Sequence, residues 1–339
     1  MLSLSPDMII LILVVVMALS FDFINGFHDT ANAIATSVST RALSPRTAII
    51  LAAVFNLVGA LTYTGVAKTI GGKIADPFKL ENGLVIVLAA LTAAILWNLI
   101  TWWFGIPSSS SHALIGGVAG AVVGAAGMGS INMEGFVSII QALIVSPLVA
   151  FAVGFIVIKI VSAIVANMPY HKTNTNFRFL QVLSASWQSF SHGANDAQKT
   201  MGIITFALIT GGFMVPENGD IVIPLWVKLS AALAMALGTS VGGWRIIKTM
   251  GGKIMKIKPI SGFSADLSAS MIITIFTAFA LPVSTTHTIS SAIMGVGASQ
   301  KFSAVKWGMA GRIVFTWIIT LPVTGLLAAA CYVVLDVFL

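Results

Sequence analysis

Asn25-Gly26-Phe27-His28-Asp29-Thr30-Ala31-Asn32 and His192-Gly193-Ala194-Asn195-Asp196-Ala197-Gln198-Lys199 decide the reading of this chain, because they are two copies of one polar interruption in otherwise apolar sequence. Each copy is followed by a proline and a hydroxyl cluster that ends in histidine: Pro107-Ser108-Ser109-Ser110-Ser111-His112, then Pro282-Val283-Ser284-Thr285-Thr286-His287. Two halves that each carry the same pair of polar interruptions form the pattern by which many membrane carriers assemble a site near mid-bilayer.

Working outward, composition sets the class. Hydrophobic residues make up 57% of the 339 positions and charged residues 9%, with a mean hydropathy of +0.99. Several apolar runs reach the roughly 20 residues that a spanning helix needs. The stretches between them are too short for a soluble domain, so the expectation is an all-α polytopic membrane protein. The first apolar run, 8–19, is preceded by Asp7 rather than by Lys or Arg, so it is expected to remain as a span rather than be cleaved as a signal peptide. The single cysteine, Cys331, excludes an intrachain disulfide and a thiolate metal cluster. A net charge of +7 in so apolar a chain reflects basic loops, not a nucleic-acid surface.

The spans read as 8–40 with a break near the first motif, 47–67, a hairpin 84–128 and 135–165. The second half repeats them as 179–209 with a break, 222–244, a hairpin 262–299 and 304–335. The chain then divides into a first repeat (residues 1–167, motif 25–32), a cytoplasmic linker (168–178) and a second repeat (179–339, motif 192–199). If the hydroxyl clusters lie at hairpin tips, each half crosses the membrane an odd number of times and the two repeats are inverted, with broken helices and two helical hairpins. Charge supports this. One side gathers Arg41, Arg46, Lys172, Arg178, Arg245, Lys248, Lys253, Lys256, Lys258, Lys301 and Lys306. The other carries Asp7, Asp76, Glu81, Glu134, Glu217, Asp220 and Asp336 against Lys68, Lys73 and Lys79. Positive charge in short loops marks the cytoplasm, which puts both termini outside the cytoplasmic membrane. The runs 135–165 and 304–335 exceed one span, and a second crossing in either would upset the parity.

An ionised carboxylate at mid-bilayer is costly unless it is paired or lines a wet cavity, so Asp29 and Asp196 need a reason to be there. One such Asp alone is more often a helix cap or a local pair, as Asp196 would be with Lys199. Two at matched positions favour function. A carboxylate, an Asn and backbone carbonyls freed by an unwound Gly make an oxygen cage for a small hard cation such as Na+. The hydroxyl clusters suit the opposite charge. A proline, then hydroxyls, then a helix of small residues (113–127 and 288–298) presents N–H and O–H donors at a helix N-terminus, where an anion is favoured. Ser and Thr also pack plain helix pairs in membranes at about 1 kcal/mol per bond or less, but four serines behind a proline, mirrored in the other half, argue for a tetrahedral oxyanion. Cation cages beside anion donors imply cotransport, since each ion offsets the other's charge in a low dielectric. His112 and His287 could donate to the anion, relay a proton or bond to backbone, whereas His28 and His192 read as local partners. No H-E-x-x-H spacing points to zinc.

These residues resemble the inorganic phosphate transporter (PiT) family, which includes sodium-dependent symporters, proton-coupled bacterial carriers and sulfate permeases. Its duplicated G-A-N-D motif is intact at Gly193-Ala194-Asn195-Asp196 and altered at Gly26-Phe27-His28-Asp29, and its P-x-S-T-T-H sequence stands at 282–287. The resemblance covers essentially the whole chain. It implies an inverted-repeat fold that imports inorganic phosphate by alternating access, with no enzymatic activity and no cofactor beyond a cotransported Na+. Phosphate would lie near Ser109, Ser110, Ser111, Ser284, Thr285 and Thr286. Na+ would be held by Asn25, Asp29, Asn195 and Asp196, with Asp22 and Gln188 nearby, and Asp266 would stand for the acid that opens the second hairpin. Asn56 occupies a position that is acidic in eukaryotic relatives. The alternative is a proton-coupled phosphate or sulfate permease of the same family. From other classes, an intramembrane hydrolase would use a Ser–His pair, which the adjacency of Ser111 and His112 disfavours. A channel would have no need of paired opposite-sign sites. A homodimer is the expected assembly, since a moving transport element needs a static scaffold.

Overall fold

Serine and proline together start the first two helices. Ser5 and Ser44 hold extended conformations and their hydroxyls accept from the Met8 and Thr47 amides, while Pro6 and Pro45 sit in the first turn, where no N–H is needed. The computed structural model describes residues 5–75, 82–215 and 221–338. The order is α1 (Pro6–Ser39), α2 (Pro45–Ala60), α3 (Gly65–Lys73), α4 (Gly83–Phe104), α5 (Ser110–Ala126), α6 (Met133–Ile164), α7 (Tyr170–Thr210), α8 (Leu225–Val241), α9 (Trp244–Lys248, continued by a π turn to Lys253), α10 (Pro259–Ala278), α11 (Thr285–Gln300) and α12 (Trp307–Phe338). Five of these, α1, α4, α6, α10 and α12, are long and apolar enough to cross a membrane, and a sixth span follows if α8 and the stretch Trp244–Lys253, bent by 61°, are counted together.

The two expected hairpins are present as α4–α5 and α10–α11. α4 ends at Gly105 and α10 ends just before Ala280, both in the left-handed region at φ +64° and +58°. The long runs in question are single helices. α6 and α12 have 32 residues each and keep Pro147 and Pro322 inside them. At 1.5 Å per residue each is about 48 Å long, more than a hydrocarbon core of about 30 Å, so each is one tilted or projecting helix rather than two crossings.

Two expectations are corrected. The helices that carry the motifs are not broken: α1 runs through Asn25–Asn32 and α7 through His192–Lys199 without interruption. The breaks fall instead in the second helix of each half, between α2 and α3 and between α8 and α9. The linker 168–178 is also mostly helix, because α7 begins at Tyr170. Of the acids and lysines assigned to the outer side, Asp76, Lys79, Glu81, Glu217 and Asp220 lie outside the described residues.

The physical reason for the unbroken helices is close packing. α1 lies on α8 and α7 on α2, so each motif helix crosses the second helix of the other half. A Cβ at Gly26 would meet the Met235 carbonyl at 2.4 Å, and one at Gly238 would meet the Phe23 carbonyl at 1.9 Å. In the matching crossing, a Cβ at Gly193 would overlap the Asn56 carbonyl and one at Gly59 the Phe190 carbonyl. These glycines let two backbones touch and do not unwind them. Gly238→Ala should therefore force α1 and α8 apart and cost about 3 kcal/mol or more. A large loss of thermal stability in detergent is expected, with Gly308→Ala unchanged because nothing lies within 4 Å of its added Cβ.

The remaining pairings correspond in the same way: α5 with α12 and α11 with α6, α4 with α12 and α10 with α6. The outer faces of α6 and α12 expose Leu148, Ile156, Phe315 and Leu326, as lipid contact requires. Buried apolar residues form two clusters. Along α1, Leu11 to Phe21 belong to one and Ala31 to Ala35 to the other, and the polar stretch from Asp22 to Asp29 lies between them.

Candidate functional site

Helical spacing places Asp22, Asn25 and Asp29 on one face of α1, at i, i+3 and i+7, and His192, Asp196 and Lys199 on one face of α7. α1 and α7 pack together, and their polar faces meet the tips of both hairpins. At those tips Ser109 and Ser284 cap α5 and α11, their hydroxyls accepting from the His112 and His287 amides at 3.1 and 3.2 Å. That capping geometry aims the next two hydroxyls of each tip at the motif helices.

Asp29 receives hydroxyls from both hairpins. Ser110 donates to Oδ2 at 2.8 Å and Thr286 to Oδ1 at 3.1 Å, while His28 Nδ1 lies 2.8 Å from Oδ1. Asp196 is the counterpart. Thr285 donates to its Oδ2 at 3.0 Å, His192 Nε2 stands 3.3 Å from the same oxygen, and the Lys199 ammonium holds Oδ1. Lys199 also donates to the Ser111 hydroxyl at 2.5 Å and the Val283 carbonyl at 3.1 Å. Ligand atoms of Asp29, His192 and Asp196 lie within 4.8 Å of one another, close enough to share one cation, and all three side chains are buried.

The expected phosphate residues Ser110, Ser111, Thr285 and Thr286 thus converge with Asp29 and Asp196, and Ser109 and Ser284 act as the caps beneath them. The Asn195 amide contacts the Thr277 hydroxyl at 2.9 Å, beside Asp196. Asp22 and Asn25 are fully buried, and neither the carboxylate oxygens nor the amide atoms close a hydrogen bond to any described residue. Thr200 faces Asp22 without completing one. Buried, unpartnered oxygens on one helix face are what a desolvated Na+ needs, so the donor set fits that ion.

Other expected residues lie apart from this cluster. Gln188 accepts from Ser270 at 2.8 Å. Asp266 accepts from Thr36 at 2.8 and 2.7 Å and from Ser184 at 3.3 Å, which ties α10 to α1 and α7. Asn56 donates to Thr239 at 2.9 Å, and its oxygen lies 3.1 Å from His192 Nδ1, which orients that ring. The His112 and His287 rings lie 4.4 Å apart at a tilt of 40°, His287 stacks on Trp317 at 4.0 Å, and both imidazoles line an apolar cavity of about 660 Å³ with Leu143, Phe151 and Met294. Neither ring joins the side chains that bond Asp29 and Asp196.

Sequence reasoning did not give a place in the site to His192, Lys199 or Asn32. Asn32 donates to Thr286 at 2.8 Å. Its signal was available, because Asn32 and Lys199 occupy the same position in the two motif copies, three residues after each Asp.

Comparison with known proteins agrees with this architecture. A structure described as the sodium-dependent phosphate transporter superposes with a TM-score of 0.89 at 26% identity, covering 98% of this chain and 100% of that one. A probable low-affinity inorganic phosphate transporter of Bacillus subtilis is 60% identical over 97% of this chain and 98% of its own length. One from Rhizobium meliloti is 45% identical over 96% and 97%. All three are named as transporters, not as enzymes, and the two sequence relatives are bacterial. Residues 25–328, from the first motif helix through both hairpins to α12, match the phosphate transporter family, and the chain is a member of that family.

Proposed function

We propose that this protein imports inorganic phosphate across the cytoplasmic membrane by Na+ symport, with phosphate held between the hairpin tips and the mobile Na+ at Asp22, Asn25 and Asp29 on α1, facing the Asp196–Lys199 pair of α7. The observation that carries the reading is that Ser110 and Thr286, from opposite hairpins, both donate to Asp29. A hydroxyl has one proton to give. When those two hydroxyls turn to a phosphate oxygen, Asp29 loses its donors in a low-dielectric site and needs a cation in their place. Na+ at Asp29 and phosphate at the tips therefore favour each other, which is coupling stated as exchange of hydrogen bonds. The named activity of the structural relative supports the choice of Na+.

The paired packing of α1 on α8 with α7 on α2, and of α5 on α12 with α11 on α6, supports two inverted repeats about a central axis. On the loop charges, both termini face outward.

The test is uptake of labelled phosphate into proteoliposomes under an inward Na+ gradient, a choline control and an imposed pH gradient. Concentrative uptake with Na+ alone is the expected result. Uptake driven by pH alone would reassign the coupling to protons, and uptake of sulfate in place of phosphate would reassign the anion. Thr286→Val removes one anion donor and should raise the phosphate KM about tenfold or more, since a bond to a charged group contributes about 1.5–3 kcal/mol. An unchanged KM would remove phosphate from the hairpin tips.

A further inference from the structure

Lys199 is the one fully buried lysine among the described residues, with 1% of its surface accessible. Its ammonium is held by a carboxylate oxygen of Asp196, the Ser111 hydroxyl and the Val283 carbonyl. Three oxygens of those three kinds are a ligand set that would equally hold Na+.

The other half shows what stands there without a lysine. Asn32 holds the equivalent place in the first motif, and it donates to Thr286 as Lys199 donates to Ser111, in each case a hydroxyl from the opposite hairpin. Thr286 in turn donates directly to Asp29, whereas Ser111 donates to the Val283 carbonyl and reaches Asp196 only through the ammonium. In the tip hydroxyls that reach the carboxylates the two halves correspond, Ser110 to Asp29 as Thr285 to Asp196, except that the second hydroxyl meets one carboxylate directly and the other through a covalently attached cation.

We propose that the Lys199 ammonium is a built-in cation occupying the second of two pseudo-equivalent cation sites, so that this carrier takes up phosphate with one fewer mobile Na+ than it would with a neutral residue at that position. The inference deepens the Na+ symport reading and rests on it for the identity of the mobile ion. An attached ammonium cannot be released to the cytoplasm, so it adds its charge to the anion site in every state and contributes nothing to the driving force. The Asp196 site then attracts phosphate permanently, and the Asp29 site alone couples to the gradient. Such a carrier works against a smaller concentration ratio than a two-ion carrier.

Lys199→Asn makes the second motif copy like the first and leaves Asp196 for Na+ to neutralise. Radiolabelled Na+ and phosphate fluxes measured together should give a Na+ to phosphate ratio higher by one than wild type, with a matching rise in the Hill coefficient for Na+. In detergent without phosphate, the variant should bind one more labelled Na+ per chain and be thermally stabilised by Na+ over choline far more than wild type. Lys199→Gln serves as a second variant with the same expectation. Equal flux ratios and equal Na+ binding in a folded variant would overturn the proposal, as would failure of both variants to fold even in high Na+. Na+ binding is read without transport. If wild type shows no Na+-driven uptake, the symport reading fails, while a gain in bound Na+ on substitution still supports the built-in cation.

Discussion

Asp29→Asn should abolish Na+-driven phosphate uptake while leaving the protein folded. The substitution keeps the side chain's shape and one acceptor oxygen, and Asp29 has no lysine whose charge would be stranded: its neighbours are Ser110, Thr286 and His28. The amide nitrogen replaces an oxygen that now accepts, so one hydroxyl must rotate away, a loss of about 1 kcal/mol that a folded membrane protein tolerates. Transport depends on a different quantity. A neutral amide offers Na+ a dipole where it needs a charge, and a loss of about 3 kcal/mol in cation binding is about a hundredfold in affinity. Uptake at a fixed Na+ gradient should fall by that order, with the melting temperature in detergent close to wild type. Wild-type uptake by Asp29→Asn would remove the cation from α1.

The element pattern was readable from the sequence because hydropathy is a local property. Runs of apolar residues and the proline-hydroxyl-histidine clusters gave both hairpins within a few residues of α4–α5 and α10–α11. What failed were inferences that needed a partner. Gly26 and Gly193 look alike whether they unwind a helix or admit a neighbouring backbone, and the choice is made by Met235 and Asn56, both more than a hundred residues away. The same applies to the site. Asp29, Asp196 and four tip hydroxyls were found because each is anomalous where it stands, a polar group in an apolar run. Lys199 was visible but was read as a local i, i+3 pair, since nothing in the sequence shows that Ser111 and Val283 close the other side of its ammonium. His192 was taken as a local partner for a similar reason: its neighbours Asn56 and Asp29 belong to α2 and α1.

Asp196→Asn should behave unlike Asp29→Asn, although the two acids hold the same place in their motifs. Here the charge removed is one of a buried, directly bonded pair. Lys199 would remain with neutral oxygens alone, those of Ser111, Val283 and the new amide, and no opposite charge, and both residues of the pair are at most 1% accessible. Removing one partner from such a pair costs about 3–5 kcal/mol, because the other charge is left buried and uncompensated. That is a large part of the 5–15 kcal/mol by which a typical protein is stable, so the single variant should melt well below wild type or be recovered in poor yield. The double substitution Asp196→Asn with Lys199→Asn removes both charges and should regain most of the lost stability without regaining transport. Comparing four melting curves, for wild type, each single variant and the double variant, isolates the coupling between the two residues. A coupling near zero, with Asp196→Asn as stable as wild type, would mean that the Lys199 ammonium is not held by Asp196. A coupling of several kcal/mol, together with stabilisation of Lys199→Asn by Na+ but not by choline, would show that the charge facing Asp196 is what matters there, whether it is carried by a side chain or by an ion.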